Sequence, residues 1–219
     1  RIRKEGKWRD AVRAYLACLS FADRMIGYMI EALEASAYAS NTVIVFWSDN
    51  GWHLGEKRHW HKTTLWQRST HVPLIFAGPG VEQAGLSRQA PVSLLDIYPT
   101  LVELCGLPGR QDLDGRSLMP LLRDAGANRE AAVSTLMGDN HAVVSHRWRY
   151  IRYADGAEEL YDRVTDPGEF HNLAGAARFA DVKRTLAARL PKTVAPNAPE
   201  RQDYDFNFET YTFRPKTRP

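Results

Sequence analysis

Cysteine is scarce. Cys18 and Cys105 are the only two in 219 residues, and neither lies in a C-x-x-C. That count excludes a disulfide scaffold. The apolar neighbours of each, Leu16-Ala17-Cys18-Leu19 and Leu104-Cys105-Gly106, predict buried, inert thiols. Long apolar runs are absent as well. Stretches such as Thr42–Trp47 fall far short of the roughly 20 residues that a membrane span needs. The chain opens Arg1-Ile2-Arg3-Lys4, without an initiator Met or the apolar core of a signal peptide. Its first thirteen residues carry six Lys/Arg against two acids, a net +4, and the other 206 residues sum to −1. The sequence pI near 8.9 therefore reflects one basic leader. A nucleic-acid partner is not expected, because such proteins spread basic residues over the face that binds. The leader reads as a start partway along a longer protein.

What remains is ordinary globular composition, with 44% hydrophobic, 25% charged and 11% aromatic residues. Disorder, collagen and coiled coil are excluded for the chain as a whole. At about 150 residues per domain, the length suits one large domain or one with a small companion.

Val12, Leu16, Leu19, Ile26, Ile30 and Leu33 recur at helical spacing and predict a helix over 11–35. Thr42-Val43-Ile44-Val45-Phe46-Trp47 and Val72-Pro73-Leu74-Ile75-Phe76-Ala77 are short continuous apolar runs. Both suit strands covered on both faces, as in a parallel sheet. Pro73 marks a strand start or edge, and the 24 residues between the runs allow a loop and a crossover helix. Ser93-Leu94-Leu95-Asp96 has the form of a capping box, with Asp in place of Glu, opening a helix that stops at Gly106. The composition shifts around Leu107–Ala127. Strands are predicted at Ala142–Ser145, Arg147–Tyr153 and Glu158–Asp162, the last two joined through Asp155-Gly156, a strong hairpin signal. A helix follows at 177–190. This organises the chain as 1–126, an α/β unit; 127–190, a small antiparallel α+β subdomain; and 191–219, a Pro- and aromatic-rich extended tail laying Tyr204, Phe206, Phe208, Tyr211 and Phe213 onto a surface.

The chemistry concentrates in residues 48–62, just past the first apolar run, where open α/β sheets place ligands. Asp49 and Asn50 offer adjacent hard oxygen donors of the kind Ca²⁺ and Mg²⁺ prefer, with Gly51 permitting the turn that brings both to one cation. Lys62 is a point charge available to an anionic group. His59-x-His61 is a weak zinc signal without a third ligand. Trp52, Trp60 and Trp66 suit either stacking on a sugar ring or packing.

Val43–Glu56, then Trp60-x-Lys62, then Thr70–Phe76 together resemble the sulfatase family, near its iduronate-2-sulfatase-like bacterial branch. The resemblance continues through Leu95–Leu101, Leu113-Asp114-Gly115-Arg116-Ser117-Leu118, Arg149–Tyr153 and Glu159-Leu160-Tyr161-Asp162 to Asp166-Pro167-x-Glu169. It covers roughly residues 11–190 and leaves the tail outside. It implies an alkaline-phosphatase-like α/β fold, here its C-terminal part, followed by a small antiparallel sheet subdomain with a C-terminal helix. It also implies one divalent cation, Ca²⁺ with Mg²⁺ as the variant, held in part by Asp49 and Asn50. Lys62 would contact sulfate, and Trp52, His53 and His141 would line the pocket.

Two positions depart from the pattern: Asn50 and Lys57 stand where many relatives have His. The family nucleophile, a formylglycine made within C/S-x-P/A-x-R, is missing. Cys105-Gly106-Leu107-Pro108-Gly109-Arg110 is one residue too long for that motif. The N-terminal acidic pair of metal ligands is missing too. The implied protein is a sulfuric ester hydrolase acting on a sulfated carbohydrate, exported to the periplasm or secreted. Its nucleophile would come from a missing N-terminal half, which is this chain's chief partner, and the chain alone would be inactive. A phosphoesterase or phosphonate hydrolase of the same superfold is the alternative, since a cation and a Lys suit any tetrahedral oxyanion. The non-enzymatic reading, an accessory module, requires a self-sufficient core.

Overall fold

A computed structural model describes residues 2, 4–82, 84–196 and 204–216. Helix α1 (Trp8–Glu34) is followed by strand β1 (Ile44–Trp47), a short hairpin of β2 (His53–Leu54) and β3 (Trp60–His61), the one-turn helix α2 (Gln67–Thr70) and strand β4 (Leu74–Ala77). Helices α3 (Ile97–Leu104) and α4 (Met119–Arg123) lead into four strands: β5 (Ala131–Leu136), β6 (Asn140–Ser145), β7 (Trp148–Arg152) and β8 (Glu158–Asp162). Helix α5 (Ala180–Ala187) and a terminal hairpin, β9 (Tyr204–Asn207) with β10 (Thr212–Pro215), complete the order.

The helix predicted over 11–35 is α1, but none of its residues is buried. Leu16, Leu19 and Ile30, half of the apolar stripe, are exposed. Cys18 and Cys105 are exposed as well, contrary to the burial expected from their neighbours. The reason is the same for Cys18: its helix packs on the hairpin through Trp8 and Tyr15, and the face that carries Cys18 meets no cover among the described residues.

The two apolar runs pair with each other, and they do so antiparallel, Ile44 opposite Ala77 and Trp47 opposite Leu74. No crossover is then needed. The connection instead holds the β2–β3 hairpin and α2. Neither strand is covered on both faces, and Trp47 and Ile75 are exposed. Pro73 directly precedes β4, as a residue lacking an N–H should.

The Ser93 capping box forms. The Ser93 hydroxyl accepts from Leu95 N, and Asp96 accepts from Ser93 N at 2.8 Å. Asp96 does more than cap. Fully buried, it also accepts from Arg116 N at 2.8 Å and pairs with the Arg129 guanidinium. Thr100 Oγ1 accepts from Leu118 N at 2.8 Å, so the 113–118 segment is clipped along the start of α3. Gly115 is required by proximity: a Cβ there would lie 2.0 Å from the Leu95 carbonyl oxygen.

Strands β5 to β8 form one antiparallel meander in chain order. Strand β5 escaped the sequence reading because Ala131, Ala132 and Ser134 lack the β-branched character that marks its neighbours. The predicted turn is present, with Gly156 at φ +86°. One face of the sheet, through Val143, Tyr150 and Leu160, packs on Leu186 and Leu190 from the α5 segment. The other, through Ala142, Ile151 and Tyr161, packs on Leu65 and Trp66. Both faces are therefore covered. In the tail, β9 and β10 pair with each other, and their aromatics meet one another (Tyr204 with Phe213, Phe206 with Phe208) while remaining exposed.

Leu160 is completely buried between these layers. Leu160→Ala is expected to cost about 2–5 kcal/mol. A lowered denaturant midpoint, with unchanged slope, checks this.

Candidate active site

At the end of β1 the chain turns through Ser48, Asp49, Asn50 and Gly51. The Ser48 hydroxyl donates to the Asn50 carbonyl at 2.8 Å, and the Asn50 amide nitrogen donates to the Gly51 carbonyl at 3.0 Å. The first fixes the Asn50 backbone and the second orients its side chain. Gly51 donates its N–H to the Ser69 carbonyl at 2.9 Å, and a Cβ on it would lie 2.0 Å from the Arg68 carbonyl oxygen. Glycine is demanded here by close approach to α2 rather than by the freedom to turn.

Lys62 Nζ donates to Asn50 Oδ1 at 2.7 Å. Two of the residues singled out in the sequence, twelve positions apart, are thus in direct contact. Asp49 stands beside them, exposed. Two adjacent oxygen donors, one of them already facing an ammonium, suit a hard divalent cation in donor type. They are only part of a shell, because Ca²⁺ takes about six to eight oxygens and the described residues contain no group of three His, Cys, Asp or Glu able to hold a metal.

The other expected pocket residues make contacts of their own. Trp52 is wedged between Tyr15 of α1, stacked at 6.2 Å, and the His61 ring at 4.4 Å. Trp60 meets Trp8 edge-on at 5.4 Å. His141 lies on β6 on the same face as Val143, the side that packs against α5, with Asp139 Oδ1 at 2.8 Å and Thr135 Oγ1 at 2.9 Å from its ring nitrogens. The sheet therefore does not bring it to Lys62.

His53 is completely buried and approaches Thr64 Oγ1 at 2.9 Å through Nε2. The Thr64 hydroxyl gives its proton to Ser69 Oγ, so it accepts from His53, which assigns the Nε2–H tautomer. Nδ1 is left without a partner. Burial, and next the neighbouring His59, hold the His53 pKa below its ordinary 6.5.

Behind the β2–β3 hairpin lies a cavity of about 60 Å³, lined in part by His53, Lys57, Trp66 and Glu169. Asp49, Asn50 and Lys62 do not line it. Around it the first unit is sewn to the four-stranded sheet. Arg149 pairs with Glu169 at 2.5 Å, both almost wholly buried, and also donates to Leu65 O at 3.1 Å and Thr70 Oγ1 at 2.9 Å. Glu169 accepts from Gln67 N at 2.8 Å, at the start of α2. Trp66 Nε1 donates to Glu159 Oε2 at 2.7 Å.

Lys57 belongs to this seam. Its Nζ donates to Tyr161 OH at 2.9 Å and to the Glu169 carbonyl, and lies 4.2 and 4.4 Å from the Trp66 and Tyr161 ring centroids. Burial lowers its pKa, opposed by the charges of Glu159, Glu169 and Asp166. Burial, then the hydrogen bond to Glu159, raises that of the Tyr161 phenol. Strain collects in the same loop. Lys57, Arg58, His61 and Thr63 all have positive φ, at 52, 60, 93 and 71°. Each such residue costs on the order of 1–3 kcal/mol, and such strain concentrates at functional sites.

With this geometry in view, the relatives are informative. Residues 3–107 match the Sulfatase family model. A sulfatase of Formosa agariphila is 42% identical over 97% of this chain and 41% of its own length. A solved 2-O GAG sulfatase superposes with a TM-score of 0.76 at 27% identity, over 83% of this chain and 42% of that one. The phosphonate monoester hydrolase of Agrobacterium radiobacter gives 0.68 at 28%, over 76% and 37%. The fold is the C-terminal part of an alkaline-phosphatase-like sulfatase fold. The chain carries a Sulfatase family match over residues 3–107 and is similar to the C-terminal part of these sulfatases, spanning about two fifths of their length.

Because the folded His53 pKa is depressed, the unfolded chain binds the proton first. His53 therefore contributes stability above about pH 6.5 that is lost as pH falls below it. His53→Gln is expected to flatten the stability curve just below about pH 6.5, measured by denaturant midpoints.

Proposed function

We propose that the protein containing this chain is a sulfuric ester hydrolase acting on a sulfated carbohydrate. The observation that carries the reading is the contact of Lys62 Nζ with Asn50 Oδ1 beside Asp49, at the carboxyl end of β1. It puts a hard oxygen donor and a positive charge in direct contact, with the Asp49 carboxylate next along the chain. Asp49 and Asn50 would hold a divalent cation, Ca²⁺ or Mg²⁺, together with ligands from elsewhere in the full-length protein. When bound, that cation offsets negative charge on the oxygens of a tetrahedral ester. Lys62 binds the same anionic group and stabilises charge passing to the leaving oxygen, while the hydrogen bond from the Asn50 amide nitrogen to the Gly51 carbonyl keeps its acceptor still.

The described residues contain no formylglycine motif, so the nucleophile comes from the segment of the relatives' length that this chain does not span. The uncovered apolar stripe of α1, with Trp47 and Ile75 on β1 and β4, suits packing against that segment. A sulfated sugar as substrate is supported by the GAG sulfatase among the structural neighbours. The phosphonate hydrolase neighbour supports the second reading, hydrolysis of a phosphorus ester at the same oxyanion site.

Lys62→Ala in the full-length enzyme is expected to reduce sulfate-ester turnover by about 10²–10³-fold. Chelation should abolish turnover and added Ca²⁺ or Mg²⁺ restore it. A Lys62→Ala enzyme as fast as the parent would refute the role. Faster turnover of a matched phosphonate ester than of the sulfate would favour the second reading.

A further inference from the structure

The β2–β3 hairpin has a mechanical problem. It is held by only two opposed pairs, His53 with His61 and Leu54 with Trp60. Isolated two-stranded hairpins are marginal even when much longer. This one also carries the left-handed residues Lys57, Arg58 and His61. Yet its base must hold Lys62 at Asn50, since Lys62 follows β3 immediately. The His59 ring ties the tip to the base by donating from Nε2 to the Lys62 carbonyl at 2.9 Å. Something must in turn fix the tip.

Three contacts do so. Trp8 of α1 lies over Gly55, where a Cβ would come within 1.4 Å of the indole. Glu56 accepts from Leu54 N at 2.8 Å and pairs with Arg68 at 3.4 Å, closing the turn on its own unit. Lys57 alone among the charged residues of the tip reaches the other unit, where Tyr161 OH and the Glu169 carbonyl accept from it and two aromatic rings flank it. Its acceptors are themselves fixed, Tyr161 OH by donating to Glu159 Oε2 at 2.8 Å and Glu169 by its pair with Arg149.

We infer that Lys57 is a positioning residue: by tying the hairpin tip to Tyr161 of the four-stranded sheet and to Glu169 of the loop that follows it, it sets where Lys62 stands against the substrate's anionic group. The inference rests on the sulfatase reading for the role of Lys62, but not for the mechanical link. The second subdomain then has a task at the active site although it contributes no residue to the Asp49–Asn50–Lys62 group.

The test is a double-mutant cycle in the full-length enzyme, with kcat and KM measured on a sulfate ester and folding followed by thermal melts. Lys57→Met, which keeps the apolar stem, is expected to lower kcat/KM about tenfold or more, and Lys57→Arg to recover much of the loss. In a Lys62→Ala background Lys57→Met should change nothing beyond about twofold, because residues acting through one another are non-additive. An equal loss in both backgrounds means a merely structural role and overturns the inference, as does full activity of Lys57→Met alone. Tyr161→Phe, which keeps the ring and removes one acceptor, gives a smaller loss with the same background dependence and serves if Lys57→Met fails to fold. If Lys62→Ala itself proves fully active, the role given to Lys62 in the sulfatase reading fails. The link is then judged by amide hydrogen exchange over 57–63, which Lys57→Met must accelerate; unchanged exchange overturns it.

Discussion

The Arg149–Glu169 pair is the constraint from which the arrangement of the two units follows. Both charges are buried, and a buried pair is tolerable only when its remaining valences are filled. Here they are filled from across the seam. Arg149 takes the Leu65 carbonyl and the Thr70 hydroxyl, and Glu169 takes the Gln67 N–H. The sheet arginine and the loop carboxylate are satisfied only while α2 sits against them. The α2 backbone in turn touches Gly51, and Gly51 follows Asp49 and Asn50. A chain of direct contacts thus runs from a β7 arginine to the oxygen pair.

Local signals in the sequence carried over well where the governing interaction is itself local. The Ser93–Asp96 capping box and the turn at Asp155-Gly156 are decided within four residues, and both are present. Asp49, Asn50 and Lys62 stand out in the sequence as candidates by type and by their resemblance to the sulfatase pattern; the contact between Asn50 and Lys62 follows from the hairpin geometry.

The misreadings share a cause. A continuous apolar run declares that a strand wants cover on both faces, but not which strand it pairs with, so β1 and β4 read as parallel and are antiparallel. Cys18 was assigned to an interior that its helix does not have among the described residues. Lys57 looked like a departure within the pocket because its acceptors, Tyr161 and Glu169, lie more than a hundred positions further along the chain. Only the fold reveals that its amine leaves the pocket for the seam.

The pairing of β1 and β4 carries one further consequence. Among the described residues each strand bonds only to the other, so each keeps an edge of open N–H and C=O groups flanked by exposed Trp47 or Ile75. Open apolar edges are templates for added strands from any source. For these 219 residues in isolation, the order of the kinetics matters more than the melting temperature: strand addition is bimolecular, so chain concentration sets how long the segment stays a monomer.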